Sequence, residues 1–176
     1  MAITQPTLPG GMRASDLQFS NLVDTFIADE VFFGTGSYTK AEIGTKFASK
    51  TAMGTELSTN TVQIGELAEA PGKTESKINK LKTRNYQIPG KRTSTVELTL
   101  NGISEKQRDY FEGASFQGKE ITLIVVSKDR DRATIFNGMR WTVDWSGEAD
   151  GLWGVTISTE WSGATVGKVY LAKDLL

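Results

Sequence analysis

Residues 93–100 read Thr-Ser-Thr-Val-Glu-Leu-Thr-Leu, and their alternation decides the fold class. Val96, Leu98 and Leu100 fall on one side of an extended chain and Thr95, Glu97 and Thr99 on the other, because successive side chains of a strand point to opposite faces. The same period of two returns twice downstream. Trp141, Val143 and Trp145 alternate with Arg140, Thr142 and Asp144, and Trp153, Val155, Ile157, Thr159 and Trp161 alternate with Gly154, Thr156, Ser158 and Glu160. Each such segment is a strand with one apolar and one wetted face. Residues 121–126 (ITLIVV) are apolar on both faces except at Thr122, which predicts a central strand covered on both sides.

The punctuation between these segments fits antiparallel pairing. Asn137-Gly138 separates ATIF from MRWTVDW, and Asp150-Gly151 separates the strand ending at Trp145 from the one beginning at Leu152. Both dipeptides supply the positive φ angles of tight hairpins, so the C-terminal half is predicted to be an antiparallel meander. One helix interrupts the pattern in NGISEKQRDYFEG. There Ser104 can cap, Gln107 can complete the capping box, Tyr110 and Phe111 form an apolar edge, and Gly113 suits a left-handed stop. The fold class is therefore mainly β: an antiparallel β-sandwich or barrel-like domain with one short flanking α-helix.

Two segments stand apart. Residues 1–16 carry Pro6, Pro9, Gly10 and Gly11 and little to bury, and read as an N-terminal arm, mobile or ordered by a partner, ahead of a β domain over residues 17–176. Within that domain residues 17–33 are apolar without a clean period. Residues 34–60 are rich in Gly, Ser, Thr and Ala, with Ile43, Phe47 and Met53 as scattered large apolar residues; they read as an extended loop with a job at a surface.

Composition bounds the chemistry. At 176 residues the chain is long enough for a hydrophobic core without disulfide or metal staples. It has no cysteine and no histidine, which removes thiolate nucleophiles, the commonest general base and the commonest metal ligand. No signal-peptide core opens the sequence and no stretch approaches the ~20 apolar residues that span a bilayer, so a soluble protein made in the cytoplasm, with no membrane insertion, is expected.

Motif by motif, catalysis and cofactors find little support. Gly72-Lys73-Thr74 looks like the end of a phosphate-binding loop, but the glycine that motif needs at position 67 is Leu67, and a strand pattern follows instead of a helix. Gly34 and Gly36 form a bare G-x-G. Asp129 and Asp131 alternate with Arg130 and Arg132 and lack the downstream glutamate of a calcium loop, so a solvated hairpin turn is the better account. Glu97, Asp144 and Glu160 could share a sheet face as a glycosidase pair would require, yet they serve equally well as its polar surface. The chain reads as non-enzymatic, with no cofactor or metal.

Charge is distributed unevenly although the total is −1. Residues 73–92 hold seven cations (Lys73, Lys77, Lys80, Lys82, Arg84, Lys91 and Arg92) against Glu75, about +6, which leaves about −7 on the remainder. Along this run Ile78, Lys80, Lys82, Arg84, Tyr86 and Ile88 are expected on one face. Such a row could grip phosphate, protect a strand edge from wrong pairing, or contact the acidic remainder of an identical neighbour; near-zero net charge favours the last two. The four tryptophans, Trp141, Trp145, Trp153 and Trp161, read as core or interface anchors, with a carbohydrate-binding platform as the alternative.

In order, IGELAEAPGKTES, YQIPGKRTSTVELTLNG, EKQRDYFEGA, ITLIVV, FNGMRWTVDW and GVTISTEWSG give residues 64–163 a pattern that resembles the major tail tube proteins of tailed bacteriophages, over about 100 of the 176 residues. The arm, residues 34–60 and the last dozen residues lie outside it. The resemblance implies a β-sandwich assembled as hexameric rings that stack into a hollow tube for DNA passage, located in the virion tail and assembled in the host cytoplasm. The implied partners are further copies of the chain and tape-measure, baseplate and tail terminator proteins, with double-stranded DNA in transient, non-specific passage. The inner tube of a contractile tail or of a secretion machine is the variant within the same class. Family knowledge puts inter-ring contacts on the arm and the long loop, here residues 1–16 and 34–60 with Ile43, Phe47 and Met53, while the uneven charge assigns Lys80, Lys82 and Arg84 to contacts between copies. A bore that passes DNA must not hold it, so an acidic wall is expected, lined by Glu97, Asp144 and Glu160 and, less centrally, by Glu66.

Overall fold

A computed structural model describes residues 2–17, 29–67, 73–82, 84–101, 105–146 and 154–176. After a short 3-10 turn at Ala14–Leu17 the order is β1 (Glu30–Thr35), α1 (Lys40–Lys46), α2 (Lys50–Asn60), β2 (Val62–Glu66), β3 (Lys73–Lys82), β4 (Gln87–Asn101), α3 (Glu105–Glu112), β5 (Ile121–Val126), β6 (Ala133–Met139), β7 (Thr142–Ser146), β8 (Gly154–Ser162) and β9 (Val169–Ala172). All strand pairs are antiparallel. One sheet has the order β2-β1-β5-β6-β9, the other β3-β4-β8-β7.

The mainly β, sandwich-like class read from the alternation is the fold. Val96, Leu98 and Leu100 of β4 and Val155 and Ile157 of β8 are fully buried and face Val31, Phe33, Leu123 and Phe136 of the other sheet. Each fully buried aliphatic side chain of this kind contributes roughly 1.5–3 kcal/mol relative to exposure, so these rows hold the sheets together. Tyr110 and Phe111 of α3 close the same core, where Phe111 and Phe116 meet edge to face at 4.8 Å. Burial pushes the Tyr110 phenol up to about 12. β5 is the central strand of its sheet and is buried at all six positions. Its Leu123 and Val125 enter the core between the sheets, whereas Ile124 and Val126 point the other way, into a second core.

That second core overturns the reading of residues 34–60 as an extended loop. They form the end of β1 and the helices α1 and α2, so three helices flank the sheets among the described residues, not one. A capping box starts α1: the Thr39 side chain accepts from the Glu42 N–H at 3.3 Å while the Glu42 carboxylate accepts from the Thr39 N–H at 2.7 Å. That backbone N–H also holds the Glu42 carboxyl below its usual range. Ser49 caps α2. A helix lying on a sheet needs only one apolar stripe, which Ile43 with Phe47 and Met53 with Leu57 supply at the four-residue spacing. Ile43, Phe47 and Met53 are therefore core residues, at most 8% exposed, and do not form a surface for a neighbouring copy.

The N-terminal arm is also docked on its own domain. Thr4 and Thr35 exchange two backbone hydrogen bonds at 3.0 and 2.9 Å, Ile3 is buried in the second core, and Leu8 and Met12 pack against the first. Ile3 enters because position 34 is glycine: a Cβ there would lie 2.5 Å from the Ile3 Cγ2.

Turn chemistry was misplaced in three details. Asn137-Gly138 is no hairpin; it sits within β6 at a bulge opposite Thr122, where Gly138 has φ +56 and donates its N–H to the Thr122 hydroxyl at 2.9 Å. The buried Asn137 side chain bonds the Tyr38 backbone in both directions, and the chain then crosses from one sheet to the other, which breaks the meander. Gly113 does not adopt positive φ; Gly118 does, at +71. The β5–β6 hairpin turn, by contrast, falls at residues 127–132, the solvated hairpin turn expected of SKDRDR. Asp150-Gly151, the Ser104 cap, Gly72 and most of residues 17–33 lie outside the described residues, although β7 and β8 do pair antiparallel.

Candidate functional site

The wetted face of the four-stranded sheet is the candidate site. Register assembles it row by row. Glu97 pairs with Lys73 on one side and Ser158 on the other, and Ser158 pairs with Thr142. Thr95 lies between Glu75 and Glu160, and Thr99 pairs with Thr156, which pairs with Asp144. Residues directly opposite share a face, so Glu97, Asp144 and Glu160 stand on one side of one sheet, all exposed. Glu97 and Glu160 are diagonal neighbours on adjacent strands, about 7–8 Å apart at that spacing.

Between the charges the face is a lattice of hydroxyls. The Thr142 hydroxyl lies 3.0 Å from that of Ser158, and the Thr99 hydroxyl 3.3 Å from that of Thr156. Threonine suits a strand by its branched Cβ and binds water by its oxygen, so the face is both well formed and wet. A depression of about 350 Å³ near Glu97, Arg140 and Glu160 is partly open to solvent. It offers no dry pocket of the kind that would raise a carboxyl toward general-acid duty. Among the described residues no three His, Cys, Asp or Glu side chains converge as a metal site.

The other predicted residues separate from this face. Glu66 is on β2 of the five-stranded sheet, opposite Glu30, and does not share a surface with the three carboxylates. Trp141 is buried, edge to face with Phe136 at 6.1 Å, and donates its indole N–H to the Ile121 carbonyl at 3.1 Å. Trp145 and Trp161 pack against the same core, and Trp161 donates to the Ala164 carbonyl at 3.0 Å. These three rings are anchors of the sandwich rather than an exposed sugar platform; Trp153 lies outside the described residues. Lys73 and Thr74 open strand β3, not a helix, which removes the phosphate-loop reading.

Lys80, Lys82 and Arg84 lie at the far end of the β3–β4 hairpin, exposed. Here the single row expected from sequence divides. A register shift between Ile78 and Lys80 sets Lys80 opposite Pro89 and Lys82 opposite Gln87, while Leu81 pairs with Ile88, so Ile88 leaves the face of the lysines.

Sequence reasoning missed Glu75 and Lys77 as members of the wetted face; their period of two was present, but only pairing to β4 shows which parity shares the side of Glu97. It also missed a buried polar cluster under α2. Glu56, 7% exposed, accepts from the Tyr38 hydroxyl at 2.8 Å, from Lys46 Nζ at 2.9 Å and from Asn60 Nδ2 at 2.9 Å. Burial and that carboxylate push the Tyr38 phenol far above its ordinary range, so it stays a donor. Satisfied on all sides, the cluster is a fastening for α1 and α2, not a reactive centre.

No family model matches the chain, and no curated protein matches it. Among the described residues no helix is long and apolar enough to cross a membrane.

Proposed function

We propose that this chain is a structural subunit of a phage tail tube: copies close into rings, six to a ring, and the rings stack into a channel for double-stranded DNA. One observation carries the reading: a sheet whose inner side packs Val96, Leu98, Leu100, Val155 and Ile157 into the core, whose outer side is hydroxylated and acidic, and whose two outermost strands, β3 and β7, have no further partner strand among the described residues. Open edges are pairing templates, and a ring of copies satisfies them.

Electrostatics suits the outer side to a bore. Glu75, Glu97, Asp144 and Glu160 against Lys77 and Arg140 leave about −2 per copy, or about −12 in a ring of six, on a surface that a duplex would cross. The duplex carries a charge about every 1.7 Å, so such a wall repels it within a Debye length of about 10 Å at 0.1 M salt instead of binding it. Tape-measure, baseplate and terminator proteins are the partners this role demands, at the interior and the two ends. Negative-stain microscopy of the purified protein tests the proposal. Rings or tubes with a central channel are expected; a particle that stays monomeric at every concentration refutes it.

A further inference from the structure

We infer that the projecting end of the β3–β4 hairpin is the donor half of a head-to-tail contact between copies of this chain, received by a different, anionic surface of the neighbour; this rests on the self-assembly proposed above.

The projection follows from register. β4 runs from Gln87 to Asn101, but β8 pairs with it only from Thr93 onward. Residues 87–91 pair with β3 alone, as a two-stranded ribbon beyond the sandwich, and at its root the Arg92 carbonyl accepts from the Gly163 N–H at 2.9 Å. Ribbons of this kind are marginal in water unless something packs on them. This one carries Ile78, Leu81, Tyr86 and Ile88, between 42% and 68% exposed, four of the seven exposed large apolar residues among the described residues. Position 90 is shaped for the ribbon, since a Cβ on Gly90 would meet the Asn79 carbonyl oxygen at 2.7 Å.

Charge selects the partner. Residues 77–92 contain six cations and no carboxylate, while the rest of the molecule is anionic enough to bring the total to −1. Two ribbons laid on each other would set Lys80, Lys82 and Arg84 against their own copies, so a symmetric ribbon-to-ribbon contact is repelled. A contact with an anionic surface elsewhere on a second copy is attracted, and because its two halves differ it is heterologous: each copy gives a ribbon and receives one. Nucleic acid is the poorer occupant, because a total charge of −1 gives the molecule as a whole no attraction for a polyanion.

A heterologous contact has a signature that a symmetric one lacks. A copy with a disabled ribbon still has an intact receiving surface, so it joins a growing assembly and ends it. The test uses full-length K80E/K82E/R84E and, for the apolar part, Leu81→Ser with Ile88→Ser; all five side chains are exposed, and circular dichroism checks that each variant is folded. Each variant by itself is expected to lose particles longer than one ring. Mixed at one part in ten with wild-type chains, each is expected to shorten mean particle length about twofold or more, as a chain stopper does. If wild-type chains assemble and the folded variants assemble equally well, the inference fails and the tube proposal stands. It fails likewise if the variants are left out of mixed particles without shortening them, or if the substitutions abolish binding to duplex DNA or to anionic vesicles while leaving assembly unchanged. Wild-type chains that never assemble overturn the tube proposal itself.

Discussion

Glu56 shows how one side chain can decide the state of a segment. Its sequence context, a Gly/Ser/Thr/Ala-rich stretch, gives no sign of a buried carboxylate, yet the carboxylate has three donors and is 7% exposed. Removing a group so placed leaves Lys46 and the Tyr38 hydroxyl without their acceptor in a partly dry site. Glu56→Ala is expected to cost about 2–4 kcal/mol of folding stability, and Glu56→Gln, which keeps an acceptor for Tyr38, less. Urea denaturation followed by tryptophan fluorescence measures both; an alanine variant as stable as the parent would remove the fastening role. Gly34 is the complementary case, a residue whose function is to be small so that Ile3 can enter. Neither role is written in the identity of the residue; each comes from what the fold brings near it.

Among the elements, the strands were legible and the helices only in part. Period-two patterns at residues 95–100, 141–145 and 154–161 became β4, the start of β7 and β8, because alternation is the property a half-buried strand must have. ITLIVV became the doubly covered β5 for the same reason. The α1–α2 pair escaped because its apolar stripe is sparse, two residues per helix, and is completed by Tyr38 just ahead of α1 and by Ile3 and Leu175 from distant parts of the chain. This changes what substitutions there should do. Met53, fully buried, belongs to a core and not to a contact between copies. Met53→Ala is expected to lose about 2–5 kcal/mol of stability in the unassembled protein. A thermal melt unchanged by that substitution, with assembly impaired, would restore the contact role. Shortening residues 34–60 should likewise unfold the second core rather than yield a folded, non-polymerising subunit.

At the scale of the whole molecule, the two sheets and the helical layer give the chain unlike sides: helices cover one face of the five-stranded sheet, and the far face of the four-stranded sheet is left polar. Joint charge reversal of Glu97, Asp144 and Glu160 to lysine tests what that polar side is for. The three are exposed, so folding and ring formation should persist, with each substitution within about 0.5 kcal/mol. Assembled particles should now retain duplex DNA at low salt and release it as salt rises, read as the ratio of nucleic acid to protein absorbance after gel filtration. Particles that remain free of DNA would take these residues off the channel wall. The sequence by itself determined the antiparallel β class, the buried rows of β4, β5 and β8, the exposed carboxylates and the concentration of positive charge in residues 73–92, because alternation and composition are local and survive without knowledge of pairing. Tertiary structure alone decided that Glu97, Asp144 and Glu160 share a face while Glu66 does not, that Leu81 meets Ile88, and that residues 34–60 are helical. Those facts depend on strand register and on side chains far apart in the chain, which one-dimensional periodicity cannot carry.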